Sequence, residues 1–446
     1  MLWRIGDPAT REWLVNSMFS TSARMLSLLV GLGMAAVFAH YLGAKGLGQY
    51  SLAVATGGLV FKMVGLGLHE ILTREVAKDR HQASKYTSNA IGIRILVSLP
   101  LGLVLVAVFA RLLSFRGTTF FVIILGALFV WASDLAALMY CLMRAVNRFR
   151  DELAFQVGYK VAALVACFGI LWLGHGVFSV MTVLIVAQLS AGVIAYRWAT
   201  REIAPIGIRF EPGFAREFIK MSLPLALAGT SEYFSLRGDS VLLGYFKGET
   251  AVGYYNAAYQ LYLGLAMLLY GLAVAFYPTM SRSTSTSGAA ARRLYLRGVG
   301  VAGGIGVLFG VGVFVTGGPA IRLLFGASFG QSVPALLILG AALPLTAVGR
   351  LSIVTLNSLD VQRLSFYAIT LGFVANLSMN LVFIPRYSLL GASVTTVLTE
   401  ATVLLVSSTW VVRELRRRRR GGDSEARGSQ GVALGPEAQL REEATL

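Results

Sequence analysis

The sequence predicts an all-α membrane protein whose twelve transmembrane helices form two pseudo-symmetric six-helix lobes. Apolar runs recur along the whole chain of 446 residues, which is 56% hydrophobic and only 14% charged. Lysine and arginine concentrate in alternate loops between these runs. One hairpin motif of the first half recurs in the second half. These three observations are typical of a multi-pass membrane protein with an internal repeat.

Twelve segments have the length of an apolar helix that crosses a bilayer, about 20 residues. The loops between them are too short to hold a soluble catalytic domain. The predicted spans are residues 14–38, 47–72, 89–112, 118–143, 155–173, 177–198, 218–246, 251–280, 294–316, 333–357, 364–384 and 389–412.

The lysines and arginines behind the net charge of +17 lie mainly in the segments between the predicted spans. With the N-terminus placed inside, the segments on its side carry most of the lysines and arginines. This positive-inside bias predicts a protein of the cytoplasmic membrane with both termini in the cytoplasm, and it accounts for the basic charge without a nucleic-acid partner. The other loops hold only Lys45, Arg111, Arg116, Lys247, Arg322 and Arg386.

The repeated motif joins the first two spans at residues 41–53 and the seventh and eighth spans at residues 246–258. Because six spans separate the copies, both enter the membrane in the same direction, which predicts a parallel repeat about an axis along the membrane normal. At one constant offset of 205 residues, Gly43, Gly48 and Tyr50 match Gly248, Gly253 and Tyr255.

This repeat predicts four parts. Residues 1–203 form an N-lobe with helices 1–6, and residues 218–413 form a C-lobe with helices 7–12. Residues 204–217 form a cytoplasmic loop between the lobes. Residues 414–446 form a cytoplasmic tail that is first basic and then disordered.

Charged side chains occur inside several predicted spans, where a cation costs several kcal/mol unless it faces protein or water. Arg24 lies at the centre of a polar stripe on the first span, and Lys62 shares a face of the second span with His69. Glu400 belongs to a polar face of the twelfth span. Helix–helix hydrogen bonding explains the serines of these faces, whereas Arg24, Lys62 and Glu400 indicate a solvated lumen.

The remaining charged residues within the predicted spans are weaker indicators of a solvated lumen. On the seventh span Glu232 and Asp239 share a face, and Arg237 points away from both towards the lumen or another helix. Asp134 is expected to pair with a cation of either lobe. By position, Arg94 and Arg350 are interpreted as anchors that snorkel to the inner surface.

Small and aromatic residues also form patterns. Gly300/Gly304 and Gly306/Gly310 have the spacing that permits close helix contact. Cys141 and Cys167 are interpreted as packing residues. One face of the eighth span carries tyrosines that either pack between helices or present hydroxyls and ring faces to a polar ligand: Tyr255, Tyr259, Tyr262, Tyr270 and Tyr277.

An enzyme is not predicted. The sequence has no phosphate-binding loop, no paired-histidine metal spacing and no nucleophile elbow, so neither a catalytic residue, a metal nor a cofactor is expected.

Three segments carry a resemblance to a known family: the Arg-bearing first span, the hairpin Leu42-Gly-x4-Gly48-x-Tyr-Ser-Leu-Ala53, and Arg237-Gly-Asp239-x3-Leu-Gly244 followed by Val252-Gly-Tyr-Tyr255. Over residues 16–412 the chain resembles the polysaccharide transporter, or O-antigen flippase-like, branch of the multidrug/oligosaccharidyl-lipid/polysaccharide (MOP) exporter superfamily.

The resemblance implies a flippase for polyprenyl-(pyro)phosphate-linked oligosaccharides, in which two lobes alternate between inward- and outward-open V shapes. It implies lumenal cations at Arg24 and Arg237, and at Lys62, where related proteins often have arginine. On this interpretation the N-lobe cations bind phosphate. Candidates for coupling H⁺ or Na⁺ are Glu400, Glu232, Asp239 and Asp134, and candidates for contacting sugar are Tyr259, Tyr262 and Tyr270.

The expected partners are membrane lipid, the lipid-linked oligosaccharide and proteins of glycan assembly. Two alternatives stay open: a cation-coupled drug antiporter of the same superfamily, which would favour an acidic lumen, and a non-transporting scaffold of a glycan-assembly complex.

Overall fold

The computed structural model describes residues 8–65, 67–286 and 288–432, apart from the side chains of 8–24, 224, 225, 227, 228, 284–286 and 419–432. All regular secondary structure in these ranges is helical. The α-helices are α1 Pro8–Val64, α2 Leu68–Lys78, α3 Ala83–Ile93, α4 Leu99–Leu112, α5 Gly117–Ala145, α6 Phe149–Trp172, α7 Val177–Glu202, α8 Pro212–Lys247, α9 Glu249–Thr286, α10 Gly288–Phe325, α11 Ser332–Ser358 and α12 Gln362–Val432.

Among the described residues, nine helical stretches are long and apolar enough to cross a membrane. Two of them hold two predicted spans each, because α1 leaves helical geometry at Gly43 and α12 does so at Ser388. The seventh predicted span lies in α8. The described helices therefore accommodate all twelve predicted spans.

The backbone repeats where the sequence motif repeats. Gly43 has φ 66° and ψ −172°, and Gly248 has φ 82° and ψ 177°, conformations that favour glycine. At Gly48 a Cβ atom would lie 1.7 Å from the Glu249 carbonyl oxygen, and at Gly253 it would lie 1.9 Å from the Ala44 carbonyl oxygen. Ala44 and Glu249 are themselves one repeat apart, so the two hairpins contact each other reciprocally.

Packing divides the chain into two compact units. The core of the first includes Leu72, Leu142 and Phe218, and the core of the second includes Leu356 and Val411. These units are defined by packing and not by the sequence repeat, so the predicted lobe boundaries stay a prediction. The first unit comprises Met1–Leu261, Gly318–Ala335 and Leu377–Ala392, and the second comprises Tyr262–Gly317, Leu336–Asn376 and Ser393–Leu446.

The predicted inter-lobe loop is hydrogen-bonded along α3. The Gly207 amide donates to Ser88 Oγ at 3.0 Å, and the Arg209 amide donates to the Ser88 carbonyl at 3.2 Å. The Glu211 amide donates to Asn89 Oδ1 at 2.9 Å. These bonds satisfy backbone groups that an irregular segment would otherwise leave unpaired.

Two helices of the second unit confirm part of the glycine prediction. A Cβ atom on Gly306 would lie 2.7 Å from Pro344 Cα, and one on Gly310 would lie 3.0 Å from the Gly340 carbonyl oxygen. Gly300 and Gly304 face open space. Only the Gly306/Gly310 pair therefore brings α10 close to α11.

The chain end extends further as helix than predicted. Helix α12 continues past the arginine run 416–420 to Val432, through the first part of the segment expected to be disordered. Residues 433–446 lie outside the described residues, so disorder there stays a prediction. Cys141 and Cys167 are free and buried, as packing residues are.

Candidate functional site

A break in the second predicted span interrupts the helical backbone of the first unit. The span was predicted to run unbroken over residues 47–72, but α1 ends at Val64 and α2 begins at Leu68. Gly67 adopts φ 60°, which glycine tolerates at little cost. Within a bilayer such a break is tolerated only where protein or a water-filled cavity satisfies the backbone.

A second irregularity packs against the first. Helices α3 and α4 are joined by a π-helical turn, Arg94–Ser98, a geometry frequent at functional sites. Its end contacts the break, since Ser98 Oγ donates to the Val64 carbonyl at 3.3 Å. Its start is held by Trp131, whose Nε1 donates to the Arg94 carbonyl at 2.9 Å. Each disturbed helix thus satisfies part of its backbone from a neighbour.

The π-helical turn buries Arg94, which is 1% exposed. Its Nη1 atom lies 3.3 Å from Asp134 Oδ2, and its Nη2 atom lies 3.5 Å from His69 Nδ1. A Cβ atom on Gly65 would lie only 2.6 Å from Nη1, so that glycine makes room for the guanidinium. The interpretation of Arg94 as a snorkelling anchor is wrong, because the side chain turns into the protein.

His69 completes this cluster. Its Nε2 lies 3.0 Å from the Asp134 carbonyl oxygen, which can only accept a hydrogen bond. This contact assigns the proton to Nε2 and leaves Nδ1 of the neutral ring as the acceptor facing Arg94. Asp134 therefore holds both neighbours, and its predicted pairing with a cation is met by Arg94.

These groups line a cavity of about 30 Å³. A water molecule needs roughly 10–15 Å³ of such space, so the cavity has room for about two or three waters. Lys62 and Glu70 also line it, together with His69, Arg94 and Asp134. Lys62 is half-buried and forms no ion pair within the described ranges, whereas Arg94 is already neutralised by Asp134.

Arg237 lies in a different polar network, between α8 and α9. Its Nη1 donates to Asn256 Oδ1 at 3.3 Å, and Asn256 Nδ2 donates to Ser240 Oγ at 3.1 Å. Asp239 is 4% exposed and accepts bonds from the Ser240 amide at 2.8 Å and from the Tyr255 hydroxyl. As expected, Arg237 bonds to another helix.

The other candidates for ion coupling differ in environment. In the second unit Glu400 is 9% exposed, and its Oε1 lies 3.6 Å from Arg350 Nη2. Arg350 is thus ion-paired with its side chain 36% exposed, and its interpretation as an anchor stays a prediction. Glu232 is exposed.

The tyrosine face divides into packed and open members. Tyr259 is buried and stacks on Tyr255 with ring centroids 5.4 Å apart. Tyr262 is buried, and its hydroxyl lies 3.0 Å from Thr346 Oγ1. Tyr270 is 40% exposed. Tyr277 is 41% exposed, so the face combines packed rings with two open ones.

Not every predicted residue can be placed. The backbone of Arg24 belongs to α1, but its side chain lies outside the described residues. Sequence reasoning missed Arg94 as a cluster member, because no periodicity signals a π-helical turn. It also missed Asn256, whose place directly after Tyr255 in the repeated motif was an available signal.

Comparison with known families and proteins identifies relatives. The chain matches the polysaccharide biosynthesis protein family over residues 13–284. It is 24% identical over 375 residues to the probable low-salt glycan biosynthesis flippase Agl15 of Haloferax volcanii, covering 82% of this chain and 76% of that one. It is 28% identical over 164 residues to the probable flippase AglR of the same organism, a match that spans 36% of this chain and only 34% of AglR.

Solved structures confirm the predicted fold. The lipid II flippase MurJ in an inward closed conformation superposes with a TM-score of 0.73 at 16% identity, over 90% of both chains. An inward-facing multidrug resistance MATE family transporter of the MOP superfamily gives a TM-score of 0.63 at 16% identity, over 88% of this chain and 96% of that one.

Proposed function

This chain belongs to the polysaccharide biosynthesis protein family, and from that premise we propose that it is a flippase for lipid-linked oligosaccharide. Its substrate is an oligosaccharide on a polyprenyl (pyro)phosphate, carried across the cytoplasmic membrane by alternating access for surface polysaccharide synthesis. The flippase names of AglR and Agl15 support this proposal, as does the transporter fold.

The observation that carries the proposal is Lys62 beside the helix break. A pyrophosphate is multiply anionic and must cross a low-dielectric slab, so it requires an intramembrane cation that is not already neutralised. Arg94 is paired with Asp134, whereas Lys62 lines the cavity without an ion pair in the described part of the chain. Lys62 is thus a cation available to meet phosphate, as a point charge.

The size of the cavity supports alternating access. Space for about two or three waters is too small for a phosphorylated sugar, so the substrate requires a state in which the groups around Lys62 separate. The helix break at Gly65 and Gly67 provides a place where α1 and α2 can change their relative direction. Hinges of this kind are a few residues that absorb a large change in φ and ψ.

The other predicted residues have subsidiary roles in this proposal. Arg24 and Arg237 are further cations along the phosphate path. A coupling H⁺ or Na⁺ at Glu400 would have to compete with the ion pair to Arg350. Asp239 already accepts one hydrogen bond on each carboxylate oxygen, so a coupling ion there would share the carboxylate with these donors.

Export of surface glycan tests the role of Lys62. In a host that depends on this chain for export, Lys62→Ala should lower export about ten- to a hundredfold, the equivalent of losing one charge-assisted contact of roughly 1.5–3 kcal/mol. Lys62→Arg should keep most activity, and Lys62→Ala combined with Arg24→Ala should abolish it. Lys78→Ala, an exposed lysine on α2, is the matched control.

The result that would overturn the proposal is normal export by Lys62→Ala at a normal level of membrane-inserted protein. Efflux of organic cations lost in the same variant would instead favour the drug antiporter. Wild-type glycan export with all lumenal charges neutralised would favour the scaffold.

A further inference from the structure

A second and larger cavity lies at the hairpin end of the first unit, away from the helix break. Its volume is about 510 Å³, which falls in the range of roughly 300–1,000 Å³ typical of small-molecule sites. Its polar lining comes from the α1 hairpin and the start of α5: Lys45, Gln49, Arg116, Thr118 and Thr119.

The cations of this cavity are unusual for their position. Lysine and arginine are disfavoured in outer loops, and the sequence places only six there. Two of the six, Lys45 and Arg116, line this one cavity, both exposed and neither in an ion pair among the described residues. Arg111 lies nearby in the chain and stacks on Phe120, with Cζ 4.5 Å from the ring centroid.

Hydrogen-bond donors converge on the same space. Helix α5 begins at Gly117, so the amides of its first turn lack helical partners and carry the positive end of the helix dipole. Gln49 is 7% exposed, lines the cavity and makes no hydrogen bond within the described residues. Its side-chain amide is therefore available to a ligand in the cavity.

One carboxylate lies at this wall and is already engaged. Thr119 is buried, and its hydroxyl donates to the Glu249 carboxylate on the hairpin of the second repeat. This bond fixes the cavity wall and turns Glu249 towards Thr119. The lining itself is cationic and donor-rich.

We propose that this cavity binds a phosphate or pyrophosphate group. Two unpaired cations, first-turn amides and a free side-chain amide match a multiply charged oxyanion, for which cations and helix N-termini are the common protein partners. Resting on the proposed function, the natural ligand is the pyrophosphate of the lipid carrier as it arrives on the outer side. A phospholipid headgroup has the same chemistry.

Protection of a single cysteine tests this site with inorganic pyrophosphate. Thr118 is exposed and lines the cavity, so Thr118→Cys should react with a membrane-impermeant maleimide, whereas Cys141 and Cys167 are buried. In nanodiscs of phosphatidylcholine, pyrophosphate should slow this labelling. Lys247→Cys, on the repeated hairpin but not in the cavity lining, is the control and should label at an unchanged rate.

Removal of the cations provides the second arm. With Lys45→Gln and Arg116→Gln added to Thr118→Cys, the pyrophosphate concentration needed for protection should rise about tenfold or more, because each lost charge-assisted bond weakens binding by about that factor. Equal labelling with and without pyrophosphate would overturn the proposal, as would equal protection of the control.

Two further results separate the question of which ligand occupies the site from the question of whether the chain is a flippase. Slower labelling in phosphatidylglycerol nanodiscs, reversed by the two glutamine substitutions, would support the site with a phospholipid headgroup as its ligand. If Lys62→Ala exports glycan normally while pyrophosphate still protects Thr118→Cys, the flippase proposal fails and the anion site stands.

Discussion

At the scale of single residues, two arginines within predicted spans have carboxylate partners from other helices. Arg94 pairs with Asp134, and Arg350 pairs with Glu400. The sequence predicts that such charges must face protein or water, because lipid leaves no other favourable environment. It does not predict the partner, since that depends on which helices become neighbours. It misjudged Arg94 because a helical wheel assumes regular geometry and the chain has a π-helical turn there.

The effects of substituting Arg94 and Asp134 on the stability of the folded protein should be coupled. Arg94→Gln leaves the Asp134 carboxylate unpaired and Asp134→Asn leaves the guanidinium unpaired, and losing one partner of a buried pair costs about 3–5 kcal/mol. We expect each single variant to lower the thermal unfolding midpoint of the purified protein. The double variant should be less destabilised than the sum of the singles. Arg150→Gln, an exposed arginine, is the control; additive effects would contradict the coupling.

At the scale of elements, hydropathy predicts where spans lie but not where helices break. The second span is apolar on both sides of Gly65 and Gly67, so its hydropathy gives no sign that the helix is interrupted there. The interruption is visible only in the backbone conformation. The hairpin motif was more informative, because its glycines repeat in both sequence and conformation. The reciprocal contact of Gly48 with Glu249 required a structure, since sequence spacing does not say which hairpins meet.

That contact makes a sharp prediction for Gly48→Ala. The new methyl group would lie 1.7 Å from the Glu249 carbonyl oxygen, and neither backbone can move without disturbing a hairpin. Overpacking of this kind costs about 1–3 kcal/mol or more. We expect a lower unfolding midpoint and less folded protein by fluorescence-detected size exclusion. Gly31→Ala, on the same helix with nothing within 4 Å, should match wild type. Unchanged stability of Gly48→Ala would contradict the close contact.

At the scale of the whole molecule, the sequence predicts the number of spans and their repeat because both are local signals repeated along the chain. The all-α fold agrees with the predicted fold class, as the superposition with MurJ shows. Packing is less predictable. The first compact unit takes segments from both halves of the sequence, since contacts at the hairpins join Gly48 to Glu249 and Ala44 to Gly253, whereas all segments of the second unit come from the second half. Hydropathy carries no information about such contacts.

The orientation of the whole protein in the membrane is predicted from the distribution of lysine and arginine alone, and it can be measured. A parallel repeat places both hairpins on one side, and the positive-inside bias makes that side the outer one. Separate Lys45→Cys and Lys247→Cys variants should therefore react with an impermeant maleimide in intact cells. Arg216→Cys, near the start of α8, should react only in inside-out vesicles. All three residues are exposed, so accessibility reports sidedness. Labelling of the two hairpins from opposite sides would contradict the parallel repeat, and labelling of both only from inside would reverse the orientation while leaving the repeat intact.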